Sequence, residues 1–377
     1  MRRVRLGDVC EVVSGSTPKT NIPEYWDGDI DWITPAELTD DSYIINESVR
    51  KITAAGVQKT GLKSFPKGTV ILSSRAPIGK VAIAGKPMYC NQGFKNLVCS
   101  DEILPEYLYW FLKGNNEYLN SLGRGATFKE ISKKIVENIE ITLPDKDSQE
   151  HAIAVLDKCW EVMRKRKAEL AQLDELIKAR FVEMFVDKNY PLFTIDELSL
   201  GKGEYGAQSA SVEYDSSRPR YVRITDINDD GSLNDVFVSS INKEDDKQYK
   251  LEYGDFLFAR MGATVGKTYA FKSGEQIYAG YLIRYKLNLD KITPEYLYSY
   301  TKLNEYWNWV KLNQSGAAQP GINAKKYGSL QIPVAPLPEQ KNFQAFVEQV
   351  DKSKVVVQKA LDEAQLLFDS LMQQYFG

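Results

Sequence analysis

The chain repeats itself, and that repeat limits its possible folds more than any other feature. "LPEYLYWF" at 104–111 returns as "TPEYLYSY" at 293–300, 189 residues on. The neighbours keep nearly the same step. "VRLGDVCEVVSG" (4–15) is answered by "FTIDELSLGKG" (193–203), and "DIDWITPAEL" (29–38) by "PRYVRITDIN" (219–228). "FPKGTVILSSRAPIGKVAIA" (65–84) is answered by "LEYGDFLFARMGATVGKTYAF" (251–271), and "RGATFKEISKKIVENIEI" (124–141) by "SGAAQPGINAKKYGSLQI" (315–332). Order and spacing both survive, so one structural unit is used twice. A length of 377 residues suits two or three domains.

Each repeat has the same grammar. Alternating apolar stretches such as "GTVILSS" and "GDFLFAR" predict strands. An amphipathic aromatic helix follows, "PEYLYWFLKG" or "PEYLYSYTKL", with Pro105 or Pro294 in its first turn. A short strand ends at "IEITLP" or "LQIPVAP". One long helix then closes each repeat, over 148–186 and 338–376. In "DSQE" a capping box is expected, with Asp147 as cap and Glu150 three residues on.

Both long helices carry an apolar seam. In the first it runs through Ile153, Leu156, Trp160, Met163, Leu170, Leu173, Ile177, Phe181 and Met184. In the second it runs through Val347, Val350, Val357, Leu361, Ala364, Phe368, Leu371 and Tyr375, in steps of three and four broken at Lys354. Mutual packing of the two helices is expected. If the halves are equivalent, the second helix returns along the first, so the pair is antiparallel. The predicted fold is α+β with a pseudo-two-fold internal repeat. Two β-rich mixed domains, 1–147 and 187–337, are separated by antiparallel coiled-coil helices at 148–186 and 338–377. About 30 helical residues at ~1.5 Å each would separate the domains by roughly 45 Å. One turn of B-DNA is roughly 34–36 Å, so two DNA readers on such a spacer could address one face of a duplex.

Much chemistry is excluded. The net charge of −3 rules out a strongly basic DNA-binding protein and leaves local patches to decide. Cys10, Cys90, Cys99 and Cys159 form no C-x-x-C pair, and neither an apolar leader nor a membrane-length apolar run is present. Free thiols and a cytoplasmic location are expected. A lone histidine, His151, excludes two-histidine metal sites and is expected to be a solvated helix residue. "GKGEYG" (201–206) formally matches a dinucleotide fingerprint but is followed by polar, turn-rich sequence rather than an apolar helix. "RAPIGK" and "GATVGK" lack phosphate-loop spacing and predict turns between strands. No adenine-methyltransferase motif is present. "LPD" at 143–145 has no acid-x-Lys partner before Asp245. No active site is supported, which favours recognition over catalysis.

Basic and amide side chains gather beside glycines at equivalent places in both repeats. In the first these are Lys19, Ser73, Ser74, Arg75, Lys80, Asn91, Gln92, Arg124, Thr127 and Lys129. In the second they are Arg218, Arg220, Arg223, Arg260, Lys267, Gln314, Ser315, Gln319 and Lys325. Arg and Lys pair with phosphates, Arg reads guanine edges, and Asn or Gln suits adenine. The lining residues differ while the scaffold persists, which predicts two different half-sites.

The stretches "SGSTPKT…YWDGDIDWITPAEL", "FPKGTVILSSRAPIGKVAIA…CNQGF", "LDELIKARFVEMF" and "QSGAAQPGINAKKYGSLQIPVAPLPEQ" resemble the specificity subunit of type I restriction–modification systems. The likeness spans essentially the whole chain. It departs at 145–149, where "DKDSQ" stands in place of the "PLPEQ" pattern. The resemblance implies a non-catalytic subunit that holds double-stranded DNA at a bipartite, asymmetric sequence. It implies long helices that dock two methyltransferase subunits. No cofactor would bind this chain: S-adenosylmethionine would sit on the methyltransferase, and ATP and Mg on a restriction/translocase subunit that can join. Two other readings stay open at this stage: a methyltransferase or nuclease fusion, and a coiled-coil adaptor that does not bind DNA.

Overall fold

The computed structural model describes residues 2–75, 77–125, 129–241, 247–316 and 320–377. The chain divides into two compact units, one of Met1–Lys167 with Lys359–Gly377, the other of Ala168–Gln358. The division falls inside the two long helices, so each helix contributes one stretch to each unit.

In the first unit, the strand Arg2–Arg5 pairs antiparallel with Glu140–Leu143 and closes the repeat on itself. A five-stranded sheet follows in the order Cys10–Ser14, Lys95–Cys99, Val70–Leu72, Val81–Ala84, Ile44–Ile45, antiparallel except for its last pair. A second sheet sets Trp26–Ile33 between Lys51–Ile52 and, in parallel, Tyr89–Cys90.

The second unit follows the same plan. Leu192–Thr194 pairs with Gln331–Pro333. Its main sheet runs Glu204–Tyr205, Leu282–Lys286, Asp255–Ala259, Thr268–Ala270. Its smaller sheet sets Arg220–Val222 against Ser239–Ile241 and, in parallel, Gln276–Tyr278, with Ser211–Glu213 at the edge. Strands form here because β-branched and aromatic residues fill both faces, as in the fully buried Val70–Leu72 and Asp255–Ala259.

The helix Pro105–Gly114 is not amphipathic as expected. Tyr107, Leu108, Tyr109, Trp110, Phe111 and Leu112 are all buried. Its core neighbours come both from the sheet, such as Val70 and Ile83, and from the long helices, such as Leu156 and Phe368, so only a narrow stripe through Glu106 and Lys113 is left half-exposed. Its counterpart Pro294–Tyr300 is shorter than "PEYLYSYTKL", and the helix resumes only at Asn304–Asn313. At the interruption Thr301 shares a hydroxyl bond of 2.8 Å with Thr268, and its Oγ1 donates to the Tyr298 carbonyl.

The long helices are Lys146–Phe185 and Leu337–Phe376. The first begins earlier than predicted because Asp145, not Asp147, is the cap: Oδ1 of Asp145 accepts from the Ser148 amide at 2.8 Å. Asp147 instead lies in the first turn, where its charge suits the positive end of the helix.

Within each unit the two helical stretches share a hydrophobic core. In the first unit Leu156 and Met163 are buried, and Trp160, Leu361, Ala364, Leu371 and Tyr375 join the same core. Phe368 packs on Trp160 and Trp110 at 5.8 and 5.6 Å between ring centres. In the second unit Ile177, Met184 and Val347 join the core, and Phe343 sits against Phe181 and Phe185. Val350 and Val357 are buried, and Leu170 and Leu173 are half-buried. Asp174 pairs with Lys354 at 2.6 Å while Phe181 meets Phe343, so position rises on one helix as it falls on the other: the stretches are antiparallel. The break at Lys354 is thus an ion pair set into the seam.

A buried glutamine fastens each long helix to its domain. Gln149 Nε2 donates to the carbonyls of Glu102 and Pro144, and its Oε1 accepts from the Leu104 amide. Gln340 does the same with Lys291, Ala335 and Thr293.

Candidate nucleic-acid interface

Equivalent hydrogen bonds register the two units residue by residue. The Ser73 amide donates to the Lys80 carbonyl at 2.9 Å, and the Ala259 amide to the Lys267 carbonyl at 2.8 Å. Gly79 and Gly266, with φ of 90° and 91°, turn the two hairpins; a residue with a Cβ would be strained there. "RAPIGK" and "GATVGK" are therefore turns between strands. Lys80 Nζ donates to the Leu38 carbonyl, and Lys267 Nζ to the Ile227 carbonyl, so these lysines are equivalent. The Asn91 amide bonds Ile33 and the Ala279 amide bonds Val222, which slides the 29–38 and 219–228 stretches by one residue from their sequence match.

Four loops meet at one end of the strands of each main sheet. In the first unit, Ser74 donates to Gly93, Ile131 donates to Ser74, and Arg124 exchanges amide bonds with Glu130. In the second unit, Arg260 donates to Tyr281, Ile322 donates to Arg260, and Ser315 exchanges amide bonds with Gly321. The fourth loop enters at Gly15 and Gly206, where an added Cβ would collide with the carbonyls of Cys90 and Asn91, or of Tyr278 and Ala279. Gly206 ends "GKGEYG": its glycine serves close strand approach, and a strand, Ser211–Glu213, rather than a helix follows.

The predicted residues divide over this frame. In the first unit Arg75, Gln92, Arg124 and Lys129 lie exposed on the loop cluster, with Asn91 half-exposed. Asn91 Oδ1 accepts from Gly93 at 2.9 Å and shapes its turn. Ser73 and Ser74 are fully buried. Ser73 donates to Pro77 and accepts from Lys80, so it builds the hairpin instead of presenting its hydroxyl. Lys19 is exposed, and its carbonyl accepts from Trp26. In the second unit Arg260, Gln314 and Ser315 lie on the cluster, and Lys325 is exposed in the helix that follows. Thr127 and Gln319 lie outside the described residues.

Three arginines sit elsewhere. Arg223 is held by Asp226 and the Phe237 carbonyl, Arg220 by Asp235 and the Asn234 carbonyl, and Arg218 by Asp215. The Arg220 and Arg223 pairs pin the loop that leads back to Ser239–Ile241, and the Arg218 pair closes the turn between Ser211–Glu213 and Arg220–Val222; the residues look alike in sequence because a structural and a reading arginine share a side chain. Lys267 is likewise paired, with Asp229 at 2.7 Å.

Sequence reasoning missed Glu130 and Lys95. Glu130 pairs with Arg75 at 2.9 Å and with the buried Lys95 at 3.3 Å, and Lys95 Nζ also donates to Ser74 Oγ. Burial alone would raise the Glu130 carboxyl, but the two cations outweigh it and hold it below the usual carboxylate range. It also missed Tyr205 and Tyr281, both exposed and flanking Arg260 with ring centres 4.8 and 5.9 Å from its guanidinium carbon. Lys95 stands in an apolar strand and Tyr205 in a stretch dismissed as loop, so neither carried a signal.

Among the described residues no cluster of His, Cys, Asp and Glu could hold a metal, and no helix is long and apolar enough to cross a membrane. All four cysteines are free thiols, and His151 is exposed. The arrangement is one loop frame built twice with different side chains.

The profile described as the type I restriction modification DNA specificity domain matches residues 1–172 and again 192–364. The MjaIX specificity subunit of Methanocaldococcus jannaschii is 39% identical over 201 residues, 52% of this chain and 46% of that subunit. The chain thus aligns with about half the length of that relative. The EcoDI specificity subunit of Escherichia coli is 24% identical over 307 residues, 72% of this chain and 68% of that subunit. A type I restriction-modification S subunit from M. genitalium shares the fold, with a TM-score of 0.58 and 16% identity over 100% of this chain and 96% of that one.

Proposed function

This chain belongs to the family of the type I restriction modification DNA specificity domain, and on that premise we propose that it is a DNA-reading specificity subunit. Each unit reads one half of a bipartite, asymmetric site on double-stranded DNA. The observation that carries this reading is the loop cluster, built twice on one hydrogen-bond frame and lined by different side chains. A frame kept while its lining changes is what two unlike half-sites require.

The chain itself catalyses nothing in this proposal. Two methyltransferase subunits that bind S-adenosylmethionine dock on the long helices, where Val355, Val356, Leu366 and Leu367 present exposed apolar side chains. A restriction/translocase subunit using ATP and Mg can join the same complex. The site of action is cytoplasmic DNA.

Adenine methylation mapped genome-wide, in cells with and without this chain, tests the reading. The expected result is one bipartite motif that loses methylation when the chain is absent. Replacing residues 1–147 with the corresponding domain of another family member should change one half of that motif only. A motif that changes in both halves, or methylation that persists without the chain, refutes it.

A further inference from the structure

Among the described residues, Arg260 differs from every other arginine of its unit in having no paired carboxylate. Arg180, Arg218, Arg220, Arg223 and Arg284 are each paired with a carboxylate. Among the described residues none pairs with Arg260, and its buried Nε has no hydrogen-bond acceptor. A guanidinium has five donors in a fixed planar fork, and leaving a buried donor unsatisfied is costly unless a ligand completes it.

The side chain is nevertheless fixed. Its backbone is bonded on both sides, the amide to the Tyr281 carbonyl at 3.0 Å and the carbonyl to the Ile322 amide at 2.9 Å. Its guanidinium lies near the rings of Tyr205 and Tyr281. Cation–π contact holds the fork without consuming its donors. Tyr205 is itself anchored, its hydroxyl accepting from the Ala324 amide at 3.2 Å.

A phosphate can be met by any flexible cation at the rim. A fork held in one orientation at the centre of the loop cluster suits a target with two acceptors in one plane. In the DNA major groove that target is guanine, with O6 and N7.

We propose that Arg260 is the specificity-determining residue of the second unit, reading a guanine in the half-site that this unit holds, with Tyr205 and Tyr281 as positioning residues. The proposal rests on the DNA-reading function above and adds the base and the residue that reads it.

The test uses the full chain and a library of duplexes with randomised sequence, selected by binding and then sequenced. The unsubstituted chain is expected to enrich a motif with a required guanine in one half. Arg260→Ala should lose discrimination at that base pair alone, by about ten- to a hundredfold. Arg260→Lys keeps the charge without the fork, so it should retain overall binding and lose the same preference. Tyr281→Ala should weaken the preference at that position only. If Arg260→Ala and Arg260→Lys leave the motif intact, or Arg260→Ala weakens all sequences alike while Arg260→Lys restores them, Arg260 is not a base reader and the proposal falls. If the unsubstituted chain enriches nothing, DNA reading itself fails, an outcome distinct from the other two.

Discussion

The two loop clusters share a backbone and differ in how their charges are arranged. In the first unit Glu130 ties Arg75 and Lys95 into one network beneath the exposed loops. In the second, Gly321 takes the place of Glu130, Met261 that of Arg75, and Arg260 that of the buried Ser74. The main-chain bonds between the loops match, although the second hairpin carries one more residue, with seven positions from Ser73 to Lys80 and eight from Ala259 to Lys267, so the difference in charge lies in the side chains. A frame that determines its own geometry through backbone bonds leaves its lining free to change. Residues conserved between the units should therefore serve the fold, and residues that differ should serve recognition.

The largest effects should appear in the aromatic cores of the two units. Phe343 and Phe368 each insert from the second long helix into an aromatic cluster, on Phe181 and Phe185 in one unit and on Trp110 and Trp160 in the other. Phe→Ala at either should cost about 3–5 kcal/mol, by lost burial and the cavity left behind. The loss should be greater at the fully buried Phe343 than at Phe368, which is 7% exposed. Denaturant unfolding gives the totals. Amide exchange resolved along the chain should place the loss of protection mainly in the unit that was substituted. Equal loss of protection in both units from either substitution would break the two-unit comparison.

The glutamine clamps provide a matched pair. Gln149 and Gln340 are both fully buried and each makes three bonds to equivalent backbone groups. Alanine at either leaves buried amide and carbonyl groups unsatisfied and should cost about 1–3 kcal/mol. The two losses in unfolding free energy should agree. If only one matters, the shared frame does not carry stability equally in the two units.

Much of this was legible in the sequence. The repeat gave the two-unit plan, and the three-four spacing marked which helix residues are buried, Leu156, Met163 and Phe368 among them, because helical periodicity is written in which residues must be buried. The loop glycines marked both hairpins. The cap was misplaced by two residues since Asp145 and Asp147 both offer a carboxylate near a helix start, and only the backbone geometry chooses between them. The site was only partly readable. Arg223 and Arg260 are the same residue type, each just past the end of a short strand, yet one is locked to Asp226 and the other is free of any carboxylate among the described residues. Asp226 is only three residues from Arg223, whereas the neighbours of Arg260, Tyr205 and Tyr281, are brought close by folding. Glu130 shows the same limit: nothing in "FKEIS" says that two cations will converge on it.

The smallest effect would sharpen the comparison at that carboxylate. Arg75 and Lys95 hold Glu130 below its ordinary range against the opposing effect of burial. The unfolded chain therefore binds this proton at higher pH than the folded one does. Stability from the group is fully present above the ordinary value of 4.5 and is lost as pH falls through the lower, folded value. Gly321 provides no such group in the second unit. Melting of the natural chain and of Glu130→Gln, compared from about pH 3 to 6, should diverge above pH 4.5 and converge in acid. Amide exchange should place the divergence in the first unit. Parallel pH profiles would show that Glu130 gains nothing from its two cations on folding, and that the two clusters differ less in their electrostatics than in their shape.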